Sequence, residues 1–134
     1  MSIDLKNRVK CPCCGYPTLE HRAFFEICIL CEWEDDGQDN SDADVVHGGP
    51  NGDYSLTEAR KNFLTYTTSY RINGTRIPQP EKETIVKKEL MKSYRAAMNH
   101  IGSSDEEQFC RMVAIRESRV RRTHLSKYNR YTKL

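Results

Sequence analysis

Four cysteines in two closely spaced pairs are the residues of this sequence with the clearest chemistry. Cys11 and Cys14 form one Cys-x2-Cys pair, Cys28 and Cys31 form a second, and 13 residues separate the pairs. Two such turns bring their sulfurs together in a tetrahedral S4 site, with metal–sulfur bonds of about 2.3 Å. Thiols stay reduced in the cytoplasm, which favours metal over disulfides. The spacing therefore predicts one structural zinc ion per chain.

The first cluster contains a third cysteine, Cys13, so the spacing must decide which two of its three cysteines bind the metal. Cys11 with Cys14 reproduces the spacing of the second pair, whereas pairs that include Cys13 would be strained. We expect Cys13 to be a free, half-buried thiol beside the metal, with a redox role as the alternative. Iron is the alternative metal, because S4 sites also hold iron.

The same donor set argues against catalysis at the metal. Catalytic zinc sites keep three protein ligands and one open position for water, and a fourth thiolate closes that position. The zinc deaminase pattern is not met either, since Glu20-His21 has the wrong order and lies between the pairs. The predicted zinc is therefore structural.

An acidic stretch with seven carboxylates, Glu32 to Asp44, follows the second pair. It does not fit a calcium loop, because Ala43 would occupy the bidentate position. A solvated loop or a surface for a basic partner is the better interpretation, and a hydrolase that uses these carboxylates is an alternative. The predicted protein-binding residues are Trp33, Glu34, Asp35, Asp36 and Asp39. The simpler interpretation of Trp33 is packing over the metal-binding turns.

The elements around these residues follow from local patterns. Aromatic and β-branched content predicts a strand over Ala23–Ile27. Ser55 and Glu58 fit a capping box at the start of a helix, whose apolar stripe continues to Tyr70. Arg60 and Asn62, on this helix, are expected to hold the segment Trp33–Asp36 through a bidentate arginine–carboxylate pair.

The second half of the chain is predicted to be helical. Asn73-Gly74 indicates a tight turn, an apolar stripe follows from Glu81 onwards, and Ser104 can cap a last helix. Cys110 is expected in the core. The last helix is basic, which makes nucleic-acid binding an alternative function. The residues proposed for that alternative are Arg116, Arg119, Arg121, Arg122, Lys127 and Arg130.

These motifs together resemble the bacterial cysteine-rich CPCC family. The resemblance rests on Cys11-Pro12-Cys13-Cys14-Gly15-Tyr16, on Ile27-Cys28-x2-Cys31-x-Trp33-Glu34-Asp35-Asp36 and on Ser55-Leu56-x-Glu58-Ala59-Arg60-x-Asn62-Phe63. It covers residues 11–63 and implies a small zinc-ribbon-like module with no established reaction. We therefore expect a small α+β fold, a zinc-ribbon-like N-terminal module followed by about three helices.

Charge and composition bound the possible functions. Residues 1–69 hold 6 Lys and Arg against 12 Asp and Glu, a net charge of −6, and residues 70–134 hold 15 against 7, a net charge of +8. These ranges are the two predicted regions, with the second packed on the first. No signal peptide or membrane span is apparent, so a cytoplasmic location is expected. The leading hypothesis is a non-enzymatic protein-binding protein, of immunity, antitoxin or adaptor type, whose partner is a basic protein such as a toxin; no small-molecule substrate is identified.

Overall fold

The computed structural model describes residues 3–72 and 78–132, with side chains described up to residue 125. The turn predicted at Asn73-Gly74 lies outside the described residues. The chain divides into two compact units. The first, here called the cysteine unit, is Arg8–Gly74, and the second, the helical unit, combines Met1–Asn7 with Thr75–Leu134.

Regular structure is sparse in the cysteine unit. Among its described residues there is no strand, and three isolated antiparallel bridges take the place of a sheet. The bridges are Val9–Leu19, Ile27–Glu34 and Val46–Ser55. The predicted α+β class is therefore confirmed only in a coarser form, as three helices with little β-structure, and a zinc-ribbon fold is not established.

The strand predicted over Ala23–Ile27 is wrong. Ala23 and Phe25 have φ angles of 63° and 61°, in the left-handed region that strands do not use. The Ala23 N–H donates to the Asp35 carboxylate at 2.7 Å, and the Phe25 N–H donates to the Asp35 carbonyl at 2.9 Å. These two bonds bend the segment around Asp35, and they override the β-propensity of its side chains.

Helix α1 (Leu56–Tyr66) forms only one of the two hydrogen bonds of the predicted capping box. The Glu58 N–H donates to Ser55 Oγ at 3.0 Å, as expected. The Glu58 carboxylate does not complete the box, because it accepts hydrogen bonds from Arg71, which lower the pKa of Glu58 below its ordinary value. Thr67, with φ 58°, ends the helix, so the predicted stripe does not reach Tyr70 on this element.

The core of the cysteine unit joins the cysteine turns to α1. Two 3-10 helices, Asn40–Asp42 and Gly49–Asn51, shape the chain between the cysteines and α1. The buried apolar side chains of the unit include Leu19, Leu30, Trp33, Leu56, Ala59 and Phe63. Trp33 is only 1% exposed, which agrees with its simpler interpretation as a packing residue.

The helical unit is a hairpin of two long helices, α2 at Glu81–Met98 and α3 at Glu106–Thr132, with a short 3-10 helix at Leu5–Asn7 against α2. Apart from Ser93, the described buried positions on each helix alternate between spacings of four and three residues, which is the seam of a coiled coil. The seam positions are Glu83, Lys87, Leu90, Tyr94 and Ala97 on α2, and Cys110, Val113, Glu117 and Val120 on α3. The predicted core position of Cys110 is confirmed.

Charged residues occupy seam positions that the apolar stripe does not reveal. Glu83 and Lys87 are fully buried, with 3.3 Å between carboxylate and Nζ, and Lys87 also donates to Gln79 Oε1 at 2.7 Å. Tyr94 donates its hydroxyl proton to the Glu117 carboxylate across the hairpin. Burial of a charge is tolerable when it is paired, and each of these acids has a partner within the helical unit.

None of the helices in the described part of the chain is both long and apolar enough to cross a bilayer.

Candidate metal centre

The first Cys-x2-Cys pair is held in a tight turn, here called knuckle 1 (residues 11–16). The Cys11 N–H donates to the Tyr16 carbonyl at 2.9 Å, and the Gly15 N–H donates to the Cys11 carbonyl at 2.8 Å. Gly15 has φ 81°, a conformation that costs glycine little. The turn places the Cys11 and Cys14 sulfurs on the same side of the backbone loop.

Knuckle 2 (residues 28–33) repeats this hydrogen-bond pattern in the second pair. The Cys28 N–H donates to the Trp33 carbonyl at 3.0 Å, and the Glu32 N–H donates to the Cys28 carbonyl at 2.9 Å. Glu32 stands where knuckle 1 has glycine, and its φ is 69°. The two turns therefore share one geometry, although one of them achieves it with a residue that is strained there.

The two knuckles bring the four predicted sulfurs together. The Sγ atoms of Cys11 and Cys31 are 3.6 Å apart, as are those of Cys14 and Cys28, and all four lie within 4.8 Å of one another. A tetrahedron with metal–sulfur bonds of about 2.3 Å has sulfur–sulfur edges of about 3.8 Å. The spacing is far too long for disulfides, and all four cysteines are free. The four cysteines could hold a metal ion.

Hydrogen bonds to sulfur support the same geometry. Thr18 donates from Oγ1 to Cys28 Sγ at 3.1 Å, and the Cys31 N–H approaches the same sulfur at 3.5 Å. The Trp33 N–H approaches Cys31 Sγ, also at 3.5 Å. Donors of this kind stabilise thiolates and orient them toward a metal.

Burial and mutual proximity control the protonation of the thiols. Burial, followed by the neighbouring thiols, raises the pKa of Cys14 well above its ordinary value. Burial also acts to raise the pKa of Cys28, but hydrogen bonds from the other three thiols and from Thr18 hold it well below its ordinary value. Four adjacent thiolates therefore require a cation, and binding a metal here must displace protons.

Cys13 lies outside the group of four, as the spacing predicts. It is a free thiol, 8% exposed, within knuckle 1. Its burial fits the interpretation of a small apolar residue, although it is more deeply buried than expected.

The residues predicted for protein binding separate into buried and accessible ones. Trp33 and Asp35 are buried, at 1% and 0% exposure, so their side chains are not available for direct contact. Glu34 and Asp36 are half-buried, and the Asp39 side chain is half exposed. The part of this set with exposed surface is therefore Glu34, Asp36 and Asp39, although Asp36 Oδ2 itself is buried, and it is called the acidic surface below.

Arg22, which the sequence analysis did not single out, fixes the acidic surface. It donates to the Asp35 carboxylate at 3.0 Å, to the Asp39 carboxylate at 2.7 Å and to the Gln38 carbonyl at 3.0 Å. The hydrogen bond from Arg22 is the main reason that the pKa of Asp39 lies below its ordinary value. An arginine 13 residues before its buried acid leaves no local pattern from which this role could be predicted.

Arg60 does not have the role predicted for it. Its Nε donates to the Pro12 carbonyl at 2.9 Å, and its nearest acid is Asp39, at 3.8 Å. Arg60 therefore ties α1 to knuckle 1, and the arginine–carboxylate pair expected of it is made by Arg22. Asn51 is a second residue missed by the sequence analysis, since its side chain bonds both the N–H and the carbonyl of Glu34.

The residues proposed for nucleic-acid binding lie along α3. Three of those whose side chains are described contact acids or a carbonyl of the helical unit itself. Arg116 donates to the Glu89 carbonyl at 3.0 Å, Arg119 lies 3.8 Å from the Glu89 carboxylate, and Arg121 lies 3.7 Å from Glu117. Arg122 is exposed, whereas the side chains of Lys127 and Arg130 lie outside the described part of the chain.

Two matched turns that carry four clustered, free cysteines define a tetracysteine metal-binding module. The sequence model of the family "Cysteine-rich CPCC" matches residues 9–84, more than half of the chain, and the protein belongs to this family. The match extends from the first bridge through both knuckles and α1 into the start of α2. No curated protein and no solved structure matches the chain.

Proposed function

We propose that this protein is a cytoplasmic, zinc-stabilised and non-enzymatic module that binds another protein through its acidic surface. The cluster of four cysteine sulfurs within 4.8 Å carries the first part of the proposal. Four thiolates form a closed tetrahedral shell, which is typical of structural zinc and leaves no position for a substrate. The zinc then holds the surface that the partner binds.

Metal analysis tests the zinc. Native mass spectrometry of the purified protein is expected to show one zinc per chain, and the Cys11→Ser/Cys28→Ser variant is expected to have lost it. Optical absorption separates zinc from iron, because four thiolates around iron give strong visible bands and around zinc none. A Cys13→Ser variant is the matched control and should keep full metal content. Full folding without any metal would refute this part of the proposal.

The acidic surface supports a basic protein partner. Glu34 is clamped by Asn51, and Asp39 is held by Arg22, so the carboxylates are presented by fixed backbone. Fixed charges lose little entropy on binding and attract a partner of opposite sign. An immunity or adaptor protein that neutralises a basic partner is the concrete form of this function.

The carboxylates of the acidic stretch Glu32 to Asp44 give little support to a hydrolase activity. Asp35 is buried and bound by Arg22, and Asp39 shares the same arginine. The hydrogen bond from Arg22 lowers the pKa of Asp39 below its ordinary value, whereas a general acid needs a raised pKa. Structural support of a binding surface is the simpler role.

Cross-linking with reversed charges tests the partner. The tagged protein is cross-linked in an extract of its source and compared with a Glu34→Lys/Asp36→Lys variant of equal zinc content. We expect a basic protein that is captured by the original chain, is lost with the variant and is released by salt. Asp105→Lys, an exposed acid of the helical unit, is the control. Equal capture by the charge-reversed variant would contradict the proposal.

A further inference from the structure

The loop between the two knuckles exposes a cluster of large apolar side chains. Phe24, Phe25 and Ile27 are 67%, 55% and 64% exposed, and they are called the apolar tip. At these fractions they expose roughly 300–400 Å² of apolar surface. This is the size of the largest apolar patch on many monomers, and such patches often mark an interaction site.

The apolar tip is held out of the core by its own backbone. Phe25 adopts φ 61°, which is unfavourable for a bulky residue and must be imposed by its surroundings. The imposing contacts are those of Asp35 with Ala23 and Phe25, together with the Glu26 carboxylate, which accepts the N–H groups of Glu20 and His21 at 2.8 and 2.7 Å. The His21 ring stacks on Phe24 with 4.9 Å between centroids. The tip is thus preorganised, which lowers the entropy lost on binding.

Charges around the apolar tip decide which partner it fits. Glu20 is exposed and Glu26 and Glu34 are half-buried beside it, whereas the nearby Arg22 is already paired with two aspartates. An acidic rim repels a second acidic rim, so two tips do not pair with each other. The rim fits an apolar patch surrounded by basic residues.

The outer face of α3 is a patch of this kind. Met112 and Ile115 are 43% and 46% exposed and lie one turn apart. Arg111 and Arg119 are one turn to either side of Ile115, with 60% and 48% of their side chains exposed, and Arg122 continues the row. Arg111 lies 3.1 Å from Glu107 and Arg119 lies 3.8 Å from Glu89, and exposed pairs of this kind are weak, so both arginines can still attract acids of a partner. This patch is called the α3 ridge.

We propose that the apolar tip of one chain docks on the α3 ridge of a second copy. This inference rests on the proposed protein-binding role and names one partner for it. The contact is heterologous, so a dimer joined by one contact keeps one unused tip and one unused ridge, and further copies can add as concentration rises. The buried area is small, so the association is weak and depends on concentration and salt.

Analytical ultracentrifugation of the zinc-loaded full chain tests the contact. Between about 10 µM and about 1 mM, the average mass is expected to rise above the 15.6 kDa of one chain and to fall back with salt. Phe24→Ser/Phe25→Asn removes the tip, with Asn chosen because it tolerates a positive φ. Ile115→Ser interrupts the ridge. Leu64→Ser removes an apolar side chain that is 83% exposed elsewhere and is the matched control.

Mixing the variants separates the proposal from its competitors. Each variant alone should remain a monomer, and an equimolar mixture of the tip and ridge variants should form dimers and no larger species, since one intact contact is left. A monomeric original chain at every concentration, association that survives loss of the tip, or a mixture that does not associate would each overturn the proposal. An RNA oligonucleotide that binds an otherwise monomeric chain and is lost with Arg119→Glu would assign the ridge to nucleic acid instead.

Failure of the tip–ridge contact can be distinguished from failure of the proposed function. The tip variant leaves Glu34 and Asp36 in place, so continued capture of a basic protein without self-association overturns this inference alone. Absence of zinc from the original chain, or equal capture by the charge-reversed chain, overturns the proposed function. The average mass of the original chain still decides whether the tip and the ridge associate.

Discussion

The two units of this chain are stabilised in different ways. The helical unit has two long helices with a repeating seam, so neighbouring turns bury one another's side chains. The cysteine unit has one helix of 11 residues and three isolated bridges among its described residues. It replaces regular structure with hydrogen bonds in which side-chain oxygens accept from backbone N–H groups, and with the four clustered sulfurs. We expect a unit of this kind to depend on the metal that its four cysteines could hold, because its core is too small to stabilise it alone.

Removal of the metal should produce the largest contrast between the units. Chelation is expected to cost the cysteine unit about 5 kcal/mol or more, because structural zinc sites contribute on the order of 10 kcal/mol in small domains. Hydrogen exchange measured by mass spectrometry should lose protection across residues 8–72, whereas α2 and α3 keep theirs. The Cys11→Ser/Cys28→Ser variant should look the same with and without chelator. Equal loss of protection in both units would show that the metal does not stabilise the cysteine unit selectively.

The buried acid of the cysteine unit should come next. Asp35→Asn is expected to cost about 3 kcal/mol, because it leaves Arg22 without its buried partner and puts an amide group where two backbone N–H groups donate. Urea denaturation followed by Trp33 fluorescence measures the loss. Asp44→Asn, at an exposed position, should change stability by less than about 0.5 kcal/mol. Equal losses of unfolding free energy in the two variants would show that the contacts of Asp35 do not stabilise the unit.

A matched change in the helical unit should act on that unit alone. Tyr94→Phe removes the hydroxyl that donates to buried Glu117 and is expected to cost about 2 kcal/mol. Glu117→Gln should cost less, because the amide oxygen can still accept from Tyr94 and no charge remains buried. Circular dichroism during denaturation reports the helices, and zinc content reports the other unit. A drop in zinc content in Tyr94→Phe would show that the units are not independent.

The smallest effect sharpens the comparison inside the cysteine unit. Gly15→Ala puts a Cβ into open space at φ 81°, so its cost is that of the backbone alone, about 1 kcal/mol. Glu32→Gly, at the equivalent position of knuckle 2, relieves the strain and should be less harmful than Gly15→Ala or slightly stabilising. Thermal unfolding of the zinc-loaded proteins measures both. Equal destabilisation by the two changes would mean that Glu32 contributes through its side chain.

The cysteine cluster was predictable because its geometry is local. A Cys-x2-Cys spacing fixes which sulfurs converge, and the structure brings Cys11, Cys14, Cys28 and Cys31 together as expected. The helix start at Ser55 and the helix from Glu81 were also encoded locally, by a cap and by an apolar stripe. Features set by four or fewer neighbouring residues could therefore be derived from the sequence.

Features that depend on distant residues could not be derived in this way. Arg60 was the arginine predicted to pair with the acidic segment, and only the folded chain shows that Arg22 reaches the buried Asp35 instead. Glu83 and Lys87 are not part of the apolar stripe from which this helix was predicted, because charge normally marks the solvent side of a helix, yet their mutual pairing lets them occupy the seam. Ala23–Ile27 has strand propensity, but hydrogen bonds to Asp35 decide its conformation.

The placement of the six thiols gives each unit its own chemical reporter. Cys110 is buried in the seam of the helical unit, and the other five cysteines belong to the cysteine unit. A thiol reagent applied to the native protein should modify Cys110 only when the hairpin opens, whereas the five remaining thiols become reactive when the metal is lost. Labelling kinetics followed by peptide mapping can thus measure the opening rate of each unit in one unmodified chain, without any introduced probe.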